Sequence, residues 1–361
     1  MMNQLVNPAN ESLLAFEIAQ QPVVWPTTLE RIQSTPLPKE LRRLPVVLTG
    51  AGTSAYAASA IANAWPDAKA IPTTDLLLQS SADIERAVPS FATGGVLISL
   101  ARSGDSPESV GTVERIKSIF PSVQHLAIVC NEHGRLANLP GVQVICLDTR
   151  TNDLSLAMTG SFSNLVLAGL CLIHHEEIAE HLPAICNRAS EHFSEMNAVA
   201  EDIAGACGDR IAVLTSSMHA LAQETSIKAL ELTAGRVTVL TETFLGLRHG
   251  PLSFLREDTP ILCFASSSAE KRRYEEDVLE YLRDSGIGRL AVIGDGASSK
   301  WQRDWFVPAV APNLADYLRT PFEVLFSQLI AYHLSRAVGI DPDNPSPNGL
   351  VTRVVKTFKL H

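Results

Sequence analysis

Residues 45–62 read PVVLTGAGTSAYAASAIA, and residues 96–110 read VLISLARSGDSPESV. Each passes from a short apolar run, through a turn rich in glycine and hydroxyls, into a stretch of helical composition. Runs that are apolar on both faces and alternate with helices predict a parallel sheet covered by helices, with right-handed βαβ crossovers. Working outward, KAIP (69–72), LAIVC (126–130) and VQVICLD (142–148) extend the series, with a helix from about Ser106 to Ile119. Two long helices are expected over Leu156–His175 and Ile178–Ala204. A second series follows: RIAVLTSS (210–217), a helix from about His219 to Ala234, VTVLTE (237–242), PILCFASSS (260–268), a helix from Glu270 to Ser285, RLAVIGD (289–295), and a helix from Asn313 to Val338. Thr49 and Ser99 are read as strand ends, as are Thr215 and Ala265. Both intervals are 50 residues, which suggests duplication of one α/β unit.

At 361 residues, with 46% hydrophobic and 19% charged residues, the chain has the composition of a fully folded protein of two packed units or one large α/β body. A net charge of -10 argues against a nucleic-acid surface, which needs clustered Lys and Arg. The six cysteines have no CxxC spacing and read as reduced, buried thiols. No basic region precedes an apolar core at the N-terminus, so the cytoplasm is the expected compartment. Leu154–Ile173 is uncharged over 20 residues, but its Thr159, Ser161, Ser163 and Asn164 favour a buried core helix over a membrane span. The stretch before Arg43, broken by Pro22, Pro26, Pro36 and Pro38, reads as an N-terminal helical arm without identifiable chemistry.

Chemistry concentrates in three places. Gly50, Gly52, Thr53 and Ser54 stand between a strand and a helix, where glycine permits close backbone approach and exposed N–H groups attract an anion. The alternative is a glycine turn with Ser54 as N-cap. Arg102, Ser103, Gly104, Asp105 and Ser106 end another strand, with Pro107 at the first helical position. Beyond the carboxyl ends of a parallel sheet, hydroxyls, N–H groups and a guanidinium would converge on one phosphate. Comparable loops are not expected from LTSSMH or FASSS in the second half. Third, Glu224, Lys228 and Glu231 fall at i, i+4 and i+7 on one helix face. Ile227, Ala229, Leu230 and Leu232 around them suggest partial burial, which suits acid–base work. His249 follows in a Gly-Pro-bounded turn, RHGP.

Taken in order, TGAGTS, RSGDSPES, ETSIKALELTAG, LRHGP and NPSPNGLVTRVV resemble the sugar isomerase (SIS) family over nearly the whole chain after about residue 40. The resemblance is to the bacterial galactosamine-6-phosphate deaminase/isomerases, also labelled tagatose-6-phosphate ketose/aldose isomerases. It implies two tandem SIS subdomains, each a Rossmann-like or flavodoxin-like α/β/α sandwich: a helical arm at 1–43, subdomains at 44–204 and 205–345, and a tail at 346–361 covering the site. It also implies a homodimer or higher assembly with shared active sites. By motif position, Ser54, Ser103 and Ser106 would hold phosphate. Arg102 stands where the related glucosamine-6-phosphate synthase has an amide, and Ala101 where it has a serine. Glu231 would be the carbon-acid base, Lys228 its nearby cation, and His249 the ring-opening residue from the neighbouring subunit. Gly52, Thr53, Thr159 (within DLSLAMTGS) and Arg353 would meet the sugar.

The reaction so implied converts galactosamine 6-phosphate to tagatose 6-phosphate and ammonia. Alternatives are glucosamine 6-phosphate as substrate, or plain aldose–ketose isomerisation. No metal-ligand spacing is visible, and no cofactor, nucleic acid or membrane partner is expected. The rival class is a non-catalytic phosphosugar sensor, against which the proline-broken, non-basic N-terminus argues.

Overall fold

The computed structural model describes residues 12–36, 41–295, 303–354 and 360. Parts of the expected arm and tail, residues 1–11, 37–40, 355–359 and 361, lie outside them. The chain opens with α1 (Leu13–Ala19) and α2 (Gln21–Ser34). α1 begins at Ser12, whose hydroxyl accepts from the Ala15 N–H, while Asp343 accepts from the N–H groups of Leu13 and Leu14 at 2.9 and 2.8 Å. A helix start is held there by two carboxylate bonds in place of water. α2 runs through Pro26, which the sequence reading treats as an interruption. Pro26 cannot donate to the carbonyl of residue 22, so α2 carries an interior proline whose cost its packing must offset.

The first sheet follows: β1 (Val46–Thr49), α3 (Thr53–Ala64), β2 (Lys69–Ala70), α4 (Thr73–Leu78), α5 (Ser81–Ala87), β3 (Val96–Ala101), α6 (Pro107–Ile119), β4 (Gln124–Val129) and β5 (Gln143–Cys146). Next is α7 (Gly160–Ala206). The second sheet comprises β6 (Arg210–Thr215), α8 (His219–Leu232), β7 (Thr238–Glu242), β8 (Pro260–Phe264), α9 (Ala269–Asp284), β9 (Arg289–Gly294), β10 (Trp305–Pro308) and α10 (Asp316–Ala337). Both sheets are wholly parallel. Their orders, β2-β1-β3-β4-β5 and β7-β6-β8-β9-β10, are one and the same. The repeat is therefore in the topology, although the register corrects the 50-residue interval. Thr49 pairs with Ser99, but Thr215 pairs with Phe264, one residue short of Ala265, and β3 continues two residues past Ser99.

Packing divides the chain into a first-sheet unit, built from Val23–Asn152, Gly160–Cys186 and the tail after Leu350, and a second-sheet unit, built from residues up to Pro22, Asp153–Thr159 and Asn187–Leu350. In the first, Val47, Leu97, Ala127 and Val129 pack with Leu76, Phe91 and Phe120; in the second, Ala212, Leu214, Cys263 and Val292 pack with Phe244, Leu279 and Leu282. The Val, Leu and Phe side chains among them contribute about 1.5–3 kcal/mol each by burial.

The two long helices expected around residues 156–204 are present within α7, which kinks between them at His174 (φ -111°, ψ 33°). Its uncharged start is buried, and its polar groups are satisfied from α2: Trp25 donates to Ser163 Oγ at 3.1 Å and Thr28 to Asn164 Oδ1 at 2.7 Å. Among the described residues no helix is long and apolar enough to cross a membrane. All six cysteines are free, but Cys146, Cys186 and Cys207 are only partly buried, which corrects the reading of six buried thiols. Burial pushes Cys171 and Cys186 up to about 12 and Cys207 to about 11, so none of these three is a thiolate at neutral pH.

Candidate active site

In the first-sheet unit the β1–α3 turn is shaped by two glycines for different reasons. A Cβ at Gly50 would stand 2.5 Å from the Ser54 carbonyl carbon, so only glycine lets the chain fold back so closely. Gly52 has open space around it but a φ of 56°, a backbone shape that side chains resist. Gly52, not Ser54, is the N-cap of α3, and no side chain caps that helix start. This removes the alternative in which Ser54 is the cap. Thr53 and Ser54 are buried in the first turn, where helix N–H groups attract negative charge.

The β3–α6 loop is tied more tightly than sequence suggests. Ser106 is the N-cap of α6: its oxygen accepts from the Ser109 N–H at 3.2 Å and its hydroxyl donates to Ser109 Oγ at 2.7 Å. Ser103 Oγ accepts from the Asp105 N–H at 3.2 Å, and Asp105 Oδ1 accepts from the Arg135 N–H at 3.0 Å. Asn131, unnoticed in the sequence, donates to the Ser103 carbonyl at 3.2 Å. Arg102 is buried and donates from Nη2 to the Arg353 carbonyl at 2.5 Å. Arg353 in turn donates to Asn152 Oδ1 at 2.7 Å. Two expected site residues are thus brought together, through the tail's main chain rather than its guanidinium.

In the second-sheet unit, α8 carries the acid–base row. Glu224 is 0% exposed and Lys228 1%, whereas the Glu231 side chain keeps 24% of its surface open. Lys228 Nζ lies 2.5 Å from Glu231 Oε2 and 3.6 Å from Glu224 Oε1. One buried cation between two carboxylates holds both in place, since charges removed from water must be paired. α10 covers this helix, with Thr225 donating to Ser327 Oγ at 2.8 Å. The expected apolar surround is incomplete, because Leu230 points outward and is exposed. His249 ends a short 3-10 turn, Gly246–His249, and is exposed. Thr159, in contrast, is buried at the N-terminus of α7; its hydroxyl has no hydrogen-bond partner, and its N–H donates to Asp153 Oδ2 at 2.7 Å.

The two units therefore hold different chemistry: anion-directed turns in one, and a partly open carboxylate backed by a buried ammonium in the other. Among the described residues no group of three or more His, Cys, Asp and Glu side chains is placed to hold a metal ion.

A protein of Shewanella sp. (strain ANA-3) named D-galactosamine-6-phosphate deaminase AgaS is 32% identical over 96% of this chain and 91% of its own length. A Streptomyces coelicolor protein carrying the AgaS name is 36% identical over 96% of this chain and 94% of its own. The chain belongs to the SIS family, in its AgaS group. The solved structure of a tagatose-6-phosphate ketose/aldose isomerase from Escherichia coli is similar to this AgaS-group fold with a TM-score of 0.84 at 29% identity, covering 94% of this chain and 97% of that one. No family model matches the sequence. What sequence reasoning about this SIS chain missed are its supports, Asn131, Asn152, Gln328 and Glu17. The one local signal was Glu17, the only ionisable residue of the apolar helix LLAFEIA.

Proposed function

We propose that this chain deaminates and isomerises galactosamine 6-phosphate to tagatose 6-phosphate and ammonia. The observation that carries the reading is the Lys228–Glu231 pair on α8, a carboxylate open on one side and fixed by a buried ammonium. The names of the AgaS relatives supply the substrate class. Arg102, Ser54, Ser103 and Ser106 bind the phosphate, Ser106 also capping α6, and Gly52, Thr53, Thr159 and Arg353 meet the sugar. His249 of a neighbouring subunit assists ring opening to the C1 aldehyde. Glu231 removes the C2 proton, giving an enolamine, and returns a proton to C1. Water then hydrolyses the 2-imino sugar to the ketose and ammonia. A proton shuttle between adjacent carbons needs one placed base and a stabilised enol oxygen.

The test is ammonia and ketose formation from galactosamine 6-phosphate and from glucosamine 6-phosphate, each before and after dialysis against a chelator. We expect turnover of the galacto substrate that survives chelation. Preference for the gluco substrate would reassign the epimer, and no ammonia from either would overturn deamination.

A further inference from the structure

The N-terminal arm has no place in the chemistry above, yet two of its buried polar side chains, Glu17 and Gln21, converge on one loop within the second-sheet unit. Glu17, 3% exposed, accepts through Oε1 from the N–H groups of Leu154 and Ser155, at 2.5 and 3.2 Å, and through Oε2 from the Ser155 hydroxyl. One turn further along the arm, Gln21 donates to Gln328 Oε1 at 2.6 Å, and Gln328 donates to the Thr159 carbonyl at 3.1 Å. The Asp153–Thr159 bond closes the loop between these two anchors. The segment is thus gripped at both ends by the arm, and it presents Thr159, whose buried hydroxyl lacks a hydrogen-bond partner.

A carboxylate is a costly choice for such a grip, because an amide or hydroxyl would accept the same N–H bonds without burying charge. Burial, and then the field of Asp153, push the Glu17 carboxyl up to about 7. Asp153 is the ionisable group facing it from the loop, and α1 has no other. On α10 the ionisable chains Asp316, Arg319 and Glu323 are engaged at the loops after β8 and β10, His333 with Asn197, and Arg336 over the Tyr332 ring.

We propose that Glu17 is a positioning residue that sets the sugar-contacting loop Asp153–Thr159, gripping it as a carboxylate and slackening it on protonation. The proposal rests on the reading that Thr159 meets the sugar. N–H bonds to a charged acceptor are shorter and stronger than those to a neutral one, so the grip weakens as pH falls through neutrality.

Glu17→Gln keeps the shape and one acceptor and mimics the protonated form. A raised folded-state value means that Glu17 contributes stability fully below about pH 4.5 and loses it as pH rises through about 7. At pH 8 the Glu17→Gln protein should therefore melt no lower than the parent. Its KM for galactosamine 6-phosphate should nevertheless be about fivefold higher. Between pH 6 and 8 the parent's KM should fall as pH rises through about 7; the variant should lack that limb, the substrate's own phosphate ionisation being common to both. A lower melting point with raised KM and an unchanged pH profile would reduce Glu17 to a structural role and overturn the proposal, as would a parent-like KM and profile. If Glu17→Gln does not fold, Ser155→Ala serves. Removing a hydroxyl that favours the carboxylate should move the inflection to higher pH, and an unmoved inflection overturns the proposal. Thr159→Val tests the underlying reading separately: an unchanged KM removes the sugar contact whatever Glu17 does, whereas a raised KM beside a parent-like Glu17→Gln rejects the grip alone.

Discussion

The loop after β3 and the loop after β8 occupy the same place in two sheets of identical order, and they are satisfied differently. After β3, Arg102 reaches a main-chain carbonyl of the tail, and the one carboxylate in the loop, Asp105, is turned to the Arg135 N–H. After β8, the second unit supplies carboxylates of its own. Asp316 Oδ2 accepts from Ser266 Oγ at 2.6 Å, and Oδ1 from the Ser267 N–H at 2.7 Å and the Ser267 hydroxyl at 3.1 Å. Lys271 lies 3.2 Å and Arg319 3.5 Å away. Glu275 joins the loops after β6 and β8, accepting from Ser216 Oγ at 2.5 Å and the Ser266 N–H at 3.0 Å. FASSS, which sequence dismissed as an anion loop, does hold an anion, one built into the chain. The comparison teaches that the strand-end donors after β8 are already taken by an internal carboxylate, whereas those after β3 are not, which is what the proposed phosphate site there requires. The second unit offers its α8 face instead.

If the units divide the labour in this way, changes on α8 should act on kcat and changes in the β3 loop on KM. Glu231→Gln should lower kcat by about a thousandfold or more while galactosamine 6-phosphate still binds; C2-proton exchange at the parent rate would assign the base elsewhere. Sharpening the same contrast, Glu231→Gln and His249→Ala chains, each inactive alone, can be mixed and allowed to exchange. In a two-fold dimer with shared sites, half the pairs are mixed and each has one intact site, so about a quarter of parent activity should return. Mixed pairs without recovered turnover would place the whole site in one chain.

Arg102→Ala should raise KM about tenfold or more for every phosphorylated sugar, with a folded protein and little change in kcat. An unchanged KM would break the assignment of phosphate to the first unit. The smallest effect is expected at Asp316. Burial pushes its carboxyl up, but the Ser266 and Ser267 donors with Arg319 and Lys271 pull it down to about 2. The stability it confers is present above its unfolded value near 3.8 and is lost as pH falls through about 2. Asp316→Asn should therefore cost about 2 kcal/mol at neutral pH, measured by denaturant unfolding. In Asp316→Ala, inorganic phosphate should raise the melting temperature more than in the parent. An equal response would mean that the β8 loop is not an anion cradle.

The parallel sheets and the two helix-entry loops were legible because their signals are local: apolar runs, glycine at a turn, and Ser-Pro at a helix start. The α8 row was legible from helical periodicity, which nevertheless misjudged Leu230, a residue off the buried face. A strand as short as β10, and helices as short as α4 and α5, carry too few residues for a period to show. The hold on the Asp153–Thr159 loop was out of reach for another reason. Glu17 and Ser155 are 138 positions apart, and neither residue type announces a partner at that distance. Ser106 shows the converse limit, since a serine before Pro107 fits a helix cap and a phosphate ligand equally well on sequence.

The bond from Arg102 to the Arg353 carbonyl spans 251 residues of sequence, and this orders events during synthesis. At about 5–20 residues per second, translation leaves the arginine waiting for on the order of 10–50 s after it is made. Throughout that interval the first sheet can assemble with the Arg102 guanidinium lacking its bond to the Arg353 carbonyl. A nascent chain stalled before residue 353 should therefore show an Arg102 more reactive toward arginine-directed reagents than in a chain that includes Arg353.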